Sequence, residues 1–122
     1  MSQLNKTVSL AIGETTKLTN SGQATSTGTL LFTVPPRPGG GEHSAIFQAV
    51  GTLTGLTSTL QADASGAGGT NLVTYVSSFL AAATSIIAVP ASGSTPLVAG
   101  VTYAINITAL TGGPADFYVT LN

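Results

Sequence analysis

Short runs of Val, Ile, Leu, Thr, Phe and Tyr recur along the whole chain, and each is broken by Gly, Pro, Ser or Asn. The breaks fall at 20–22, 35–41, 64–70, 91–96 and 111–114. No run between them carries a sustained 3.6-residue pattern, but several alternate with period two. Val8, Leu10 and Ile12 share one face, with Thr7, Ser9 and Ala11 opposite. Leu30, Phe32 and Val34 align, as do Val101, Tyr103, Ile105 and Ile107 against Thr102, Asn106 and Thr108. Phe117, Val119 and Leu121 align against Tyr118 and Thr120. Such faces fit antiparallel strands with one side on a core and one side wet. The pattern predicts an all-β fold, a single antiparallel β-sandwich of jelly-roll or Ig-like type with about seven to nine strands.

The middle alternates less cleanly. In 44–54, Phe47 lies on one face and Ile46 and Val50 on the other; 57–63 reads as its hairpin partner, with Gly55 between them. Residues 71–78 read as a strand, and 86–89 as a short one ended by Pro90. Residues 79–84 hold three alanines but follow no N-cap, so they read as loop or strand. The strongest local signal is a hairpin of 101–110 with 117–121, turned by Gly112-Gly113 and closed to pairing by Pro114. No linker or repeat divides the chain. Residues 1–28, one good strand and then a Thr/Ser/Gly stretch with few apolar anchors, read as a strand and flexible arm that orders on a neighbour. Residues 29–122 form the sandwich.

Charge narrows the functional classes. Charged residues are 6% of the chain, against about 25% in an average globular protein. With 20 Thr and 12 Ser, the polar surface is built from hydroxyls and backbone instead. Lys6, Lys17 and Arg37 are too few to neutralise a row of phosphates at net charge −1, which argues against nucleic acid. Zero Cys removes disulfides and thiolate metal sites, and one His removes a multi-histidine site. The longest apolar stretches are five residues, too short to span a bilayer, and no secretory signal is visible.

Catalytic readings are thin. A triad would need His43 with Asp63 or Asp116, but adjacent Ser44 is a poor partner and there is no Gly-x-Ser-x-Gly elbow. His43 reads as an exposed loop-end residue. Paired carboxylates could come only from Glu14, Glu42, Asp63 and Asp116, all in or beside turns. Residues 63–71 lack the Lys and helix of a phosphate cradle and offer few oxygens for calcium. The expectation is a non-enzyme with no catalytic, metal or cofactor site. A glycan surface would rest on aromatic platforms, and Tyr118 on the polar face of the last strand is the best placed. The Asn5-Lys6-Thr7 and Asn106-Ile107-Thr108 sequons read as chance in so Thr-rich a chain.

A chain so poor in charge lacks the gatekeepers that keep β edges apart, so association is the expected property. The expected contact residues are Val8, Leu10 and Ile12 of the arm and Pro35, Pro36, Arg37 and Pro38 of the Pro/Gly loop. Deleting residues 1–13 is expected to abolish assembly while the sandwich stays folded.

Two passages carry a family resemblance over residues 45–122. One is Gly51-Thr52-Leu53-Thr54-Gly55, then Leu60-Gln61-Ala62-Asp63 and a glycine-rich turn at 66–69. The other is Gly100, Tyr103 and Ile107-Thr108-Ala109-Leu110-Thr111-Gly112-Gly113, closing with 117–121. Together they resemble small β-sandwich virion proteins of tailed bacteriophages. Where that family commonly has a Trp after the glycine-rich turn, this chain has Thr70-Asn71-Leu72. The resemblance implies capsid decoration (cement) or another head or tail surface role, and no catalytic residues. Its implied partners are the major capsid protein or other virion proteins and further copies of the chain, a homotrimer favoured. The chain would be made in the host cytoplasm and act on the particle surface, with no nucleic-acid or membrane partner. The alternative is a receptor- or glycan-binding module of a phage tail or host-contact structure.

Overall fold

The computed structural model describes residues 5–19, 24–25, 27–90 and 96–122. Among them are nine strands and no helix: β1 (Val8–Ser9), β2 (Thr15–Lys17), β3 (Gly28–Thr33), β4 (Ala45–Gly51), β5 (Gly55–Asp63), β6 (Val73–Val76), β7 (Ile86–Val89), β8 (Thr102–Thr111) and β9 (Ala115–Leu121). One sheet has the order β1-β3-β8-β5-β6 and the other β2-β9-β4-β7. Neighbours are antiparallel except β1 and β3, which run parallel. The expected all-β class stands, with the strand count at the top of its range.

The two expected hairpins do not form. β8 pairs with β3 and β5, while β9 pairs with β2 and β4, so residues 112–114 carry the chain from one sheet to the other. The same holds for β4 and β5, which lie in different sheets. Period-two alternation marks which face of a strand is apolar but says nothing about which edge is paired. Here the apolar faces meet each other across the core: Tyr103, Ile105 and Ile107 of β8 and Phe117, Val119 and Leu121 of β9 are all buried. Gly112 takes a left-handed φ of 88°, and a Cβ there would sit 2.7 Å from the Thr54 nitrogen, so the crossing is packed against the neighbouring one. Among consecutive strands, only β5 and β6 pair as a hairpin.

Aromatic rings join the sheets. Phe32 of β3 lies 5.5 Å from Phe47 of β4 between centroids, and Phe47 meets Phe79 edge-on at 5.1 Å. Each fully buried Phe contributes about 1.5–3 kcal/mol of burial. Phe79 and Leu80 come from 79–84, which is a loop rather than a helix. Phe79 N–H donates to Ser58 O and the Ser58 hydroxyl donates to Leu80 O, so the loop is sewn to β5 with its apolar residues inward.

The described parts of the expected arm, 5–19, 24–25 and 27–28, are built into the sandwich; residues 1–4, 20–23 and 26 lie outside the described residues. β1 joins one sheet and β2 the other, and Leu10 and Leu18 are core residues. Asn5 is the tie. Its side chain accepts from Leu31 N–H at 2.7 Å and donates to Leu31 O at 3.0 Å and Leu18 O at 3.1 Å. The amide thus mimics a strand neighbour along β3 just before β1 takes over at Phe32.

Candidate contact surface

Alternation fixes what the β2-β9-β4-β7 sheet shows outward. Register sets Thr15, Thr120, Ile46 and Ala88 in one outer row, and Lys17, Tyr118, Gln48 and Ile86 in the next. The inward residues between them, Ala45, Phe47, Val119 and Val89, are core. At the β4/β7 side the outer face is uncharged, with three exposed apolar side chains around Gln48: Ile46 is 50% exposed, Val50 46% and Ile86 54%. Neither β4 nor β7 carries a charged side chain. A groove of about 520 Å³ starts at Ile46 and Ala88 and runs past Pro90 and Thr120 to Gly13 and Asn122.

At the end of the sandwich the groove meets a polar cleft of about 340 Å³ that shares Ser44, Pro90 and Asn122 with it and adds Arg37, Glu42 and His43. His43 is buried rather than exposed, at 1%. Its Nδ1 lies 2.9 Å from Asn122 O and its Nε2 2.6 Å from Pro35 O. Each ring nitrogen thus faces a main-chain carbonyl, and the ring, donating to one of them, cross-ties the 35–41 loop to the end of β9. Arg37 adds a second tie, Nη1 to Asn122 O at 3.0 Å. Among the described residues no cluster of three His, Cys, Asp or Glu side chains could hold a metal.

The expected contact residues fall into two groups. Pro36 and Pro38 are exposed and Pro35 and Arg37 half-buried, and of the four Arg37 lines the cleft. Ile12, 39% exposed, is next to Gly13, whose N–H donates to Leu121 O, so it reaches the same end of the molecule. Val8 is half-buried against the core and Leu10 is 5% exposed, so Leu10 has no surface to offer in the folded chain.

The carboxylates are structural too. Asp63 is buried, and its two oxygens accept from Ser65 N–H (2.9 Å), the Ser65 hydroxyl, Gly69 N–H (2.9 Å) and Asn71 N–H (3.1 Å). Those donors, the Ser65 hydroxyl foremost, hold the carboxyl well below the usual carboxylate range. The loop so fixed lies on the outside of the first sheet: a Cβ on Gly69 would come 3.1 Å from Leu31 Cδ2. Asp116 accepts from the Thr19 hydroxyl at 2.8 Å and has Lys17 Nζ at 3.5 Å.

Of the tyrosines, Tyr103 is core and Tyr75 half-buried. Val98 N–H donates to the Tyr103 hydroxyl, and the Tyr75 hydroxyl donates to Pro96 O, both within 2.8 Å. Burial pushes both phenols up. Tyr118 alone faces outward, half-buried between Lys17 and Gln48. Asn5 and Asn106 are both buried, so neither sequon presents its asparagine.

The missed residues are Ile46, Ile86 and Ala88 as a surface. Their signal was an apolar residue out of phase with Phe47 and an Ile86-Ile87 pair apolar on both faces. No protein-family model, curated protein or solved structure matches this chain.

Proposed function

We propose that this chain is a non-enzymatic structural protein of a phage virion, a capsid decoration (cement) protein that binds the major capsid protein or a neighbouring virion protein on the particle surface. The observation that carries the reading is the uncharged strip in which exposed Ile46, Val50 and Ile86 surround Gln48 on an open sheet face. An exposed strip of this kind, rimmed by hydroxyls, is the mark of a protein contact. The side chains that a catalyst would use are instead spent on internal ties: His43 on two carbonyls, Asp63 on its loop. The turns behind the family resemblance are spatially coherent, since 51–55 and 111–113 are the two adjacent sheet crossings and Asp63 organises 64–71.

Within the sandwich class we read the fold as a jelly roll. β2 pairs with β9, β3 with β8, β4 with β7 and β5 with β6, so strands β2–β5 and β6–β9 form one long folded ribbon. Rolled up, that ribbon gives two four-stranded sheets, an architecture frequent in viral shells and in lectins. This support is fold-level analogy, and the contact strip carries the functional weight.

The test is co-sedimentation of purified protein with particles of the phage that encodes it. Wild type is expected to pellet with the particles, and Ile46→Lys and Ile86→Lys, which touch only exposed side chains, to stay in the supernatant. Undiminished binding by both lysine variants overturns the reading. A second reading, a glycan- or receptor-binding module, is favoured by outward Tyr118 between Lys17 and Gln48. Binding on a glycan array that is lost in Tyr118→Ala would select it.

A further inference from the structure

β7 closes one side of its sheet, and its outer edge meets no strand among the described residues. The backbone groups along that edge can be assigned. Ala49 N–H donates to Ser85 O, which makes 49 and 85 a directly bonded pair. Alternation then makes Phe47–Ile87 and Ala45–Val89 bonded pairs, and turns the N–H and C=O of Ile86 and Ala88 away from β4. Ile86 and Ala88 are both exposed residues. The other edges are blunted in ways β7 is not: β1 has two residues, β2 has three including Lys17, and the β5/β6 ladder is broken by a register shift at Leu60/Gln61.

We infer that β7 pairs antiparallel with β7 of a second copy of this chain about a two-fold axis, joining the two β2-β9-β4-β7 sheets edge to edge. An open strand edge is satisfied by another extended backbone. A second copy fits because the edge is complementary to itself. With Ile87 opposite its own mate, Ile86 of each copy faces Ala88 of the other, and all four edge groups of each strand are paired. A shift by two residues, the smallest that keeps the bonding phase, sets the Ile86 C=O opposite Pro90, which has no N–H to give, or carries Ala88 past the end of the strand. The large Ile86 then lies against the small Ala88 across the axis, and no charged side chain on β4 or β7 repels its mate. The pair also brings Ile46 and Ile86 of both copies into one continuous strip. The inference stands on β7 alone and is independent of the particle reading.

The chain has no cysteine, so a single introduced thiol reports the geometry. At the axis, Ile87→Cys puts two Cα atoms about 4.5 Å apart, within disulfide reach. Under mild oxidation this variant is expected to convert to a covalent dimer. Adding Ala88→Pro removes an edge donor that β4 does not use, and is expected to slow cross-linking roughly tenfold by deleting two of the four bonds. Independently of any thiol, sedimentation of the wild type is expected to show a reversible monomer–dimer equilibrium shifted to monomer by Ala88→Pro alone, with a urea midpoint unchanged at protein concentrations low enough for the wild type to be monomeric. No cross-link, a cross-link equally fast in the proline variant, or a closed trimer whose mass Ala88→Pro leaves unmoved would each overturn the pairing.

Discussion

Replacing Asn5 by Ala tests whether the N-terminal segment belongs to the fold. Asn5 is 6% exposed, and its amide engages three main-chain groups: Leu31 N–H, Leu31 O and Leu18 O. Alanine leaves all three without that partner at a buried edge. A buried polar group left unmade costs about 1–3 kcal/mol, and partial hydration of this edge position brings the sum to about 2–4 kcal/mol. For a domain of this size that is a fall in Tm of about 8–16 °C. The assay is urea unfolding followed by far-ultraviolet circular dichroism, with the m-value compared so that a change in stability is separated from a change in compactness. Asn5→Asp is the control, since it keeps the acceptor for Leu31 N–H but turns a donor into an acceptor facing two carbonyls, and it should be no better than Ala. Deleting residues 1–13 should cost more again, because β1 and buried Leu10 go with Asn5. If Asn5→Ala loses less than about 0.5 kcal/mol, the segment frays in solution and its strand pairing contributes nothing.

Three further outcomes follow from the geometry. Asp63 titrates near 3.8 when unfolded and lower when folded, so between those values the unfolded chain binds more protons; its stabilisation is complete above about pH 4 and drains away as pH falls below that. Urea midpoints from pH 7 to pH 2 should therefore drop on the acid side in wild type and less so in Asp63→Asn, which starts lower. Gly112→Ala combines φ of 88° with a Cβ 2.7 Å from Thr54 N and should destabilise by about 1–3 kcal/mol by thermal melt. Thr59 Oγ1 and Asn106 Oδ1 are buried on facing strands without a hydrogen-bond partner, so Thr59→Val should be neutral or raise stability by up to about 1 kcal/mol.

Strand location was legible because burial on one side imposes period two, and the inward sets of β3, β8 and β9 are the ones the alternation picks out. Partner choice was not. A Gly-Gly-Pro link between two alternating segments serves a tight hairpin or a crossing between sheets equally well, because both reverse the chain. What decides is occupancy of the edges: β8 already has β3 and β5, leaving β9 only the facing sheet. That is a long-range fact, set by residues 28–33 and 55–63, and no window around 111–114 contains it.

The contact surface was half legible for a related reason. Low charge argued for an adhesive surface, and the segments that read as its source are the sparse ones, 1–28 and 35–41, whereas the exposed apolar side chains of the second sheet lie on β4 and β7. Sparse apolar content marks a segment that cannot build a core alone; it does not say whether the few anchors it has are used at home. Leu10 and Leu18 are, and Asn5 completes the docking with an amide that looks unremarkable in sequence. The residues free to make outside contacts are instead those whose apolar side chains fall out of phase with a neighbour already in the core: Ile46 beside Phe47, and Ile86 beside Ile87. In a two-layer sheet protein one phase fills the interior; in the other phase Leu31 of β3 is covered by the 64–71 loop of the same chain, whereas Ile46 and Ile86 on β4 and β7 stay about half exposed.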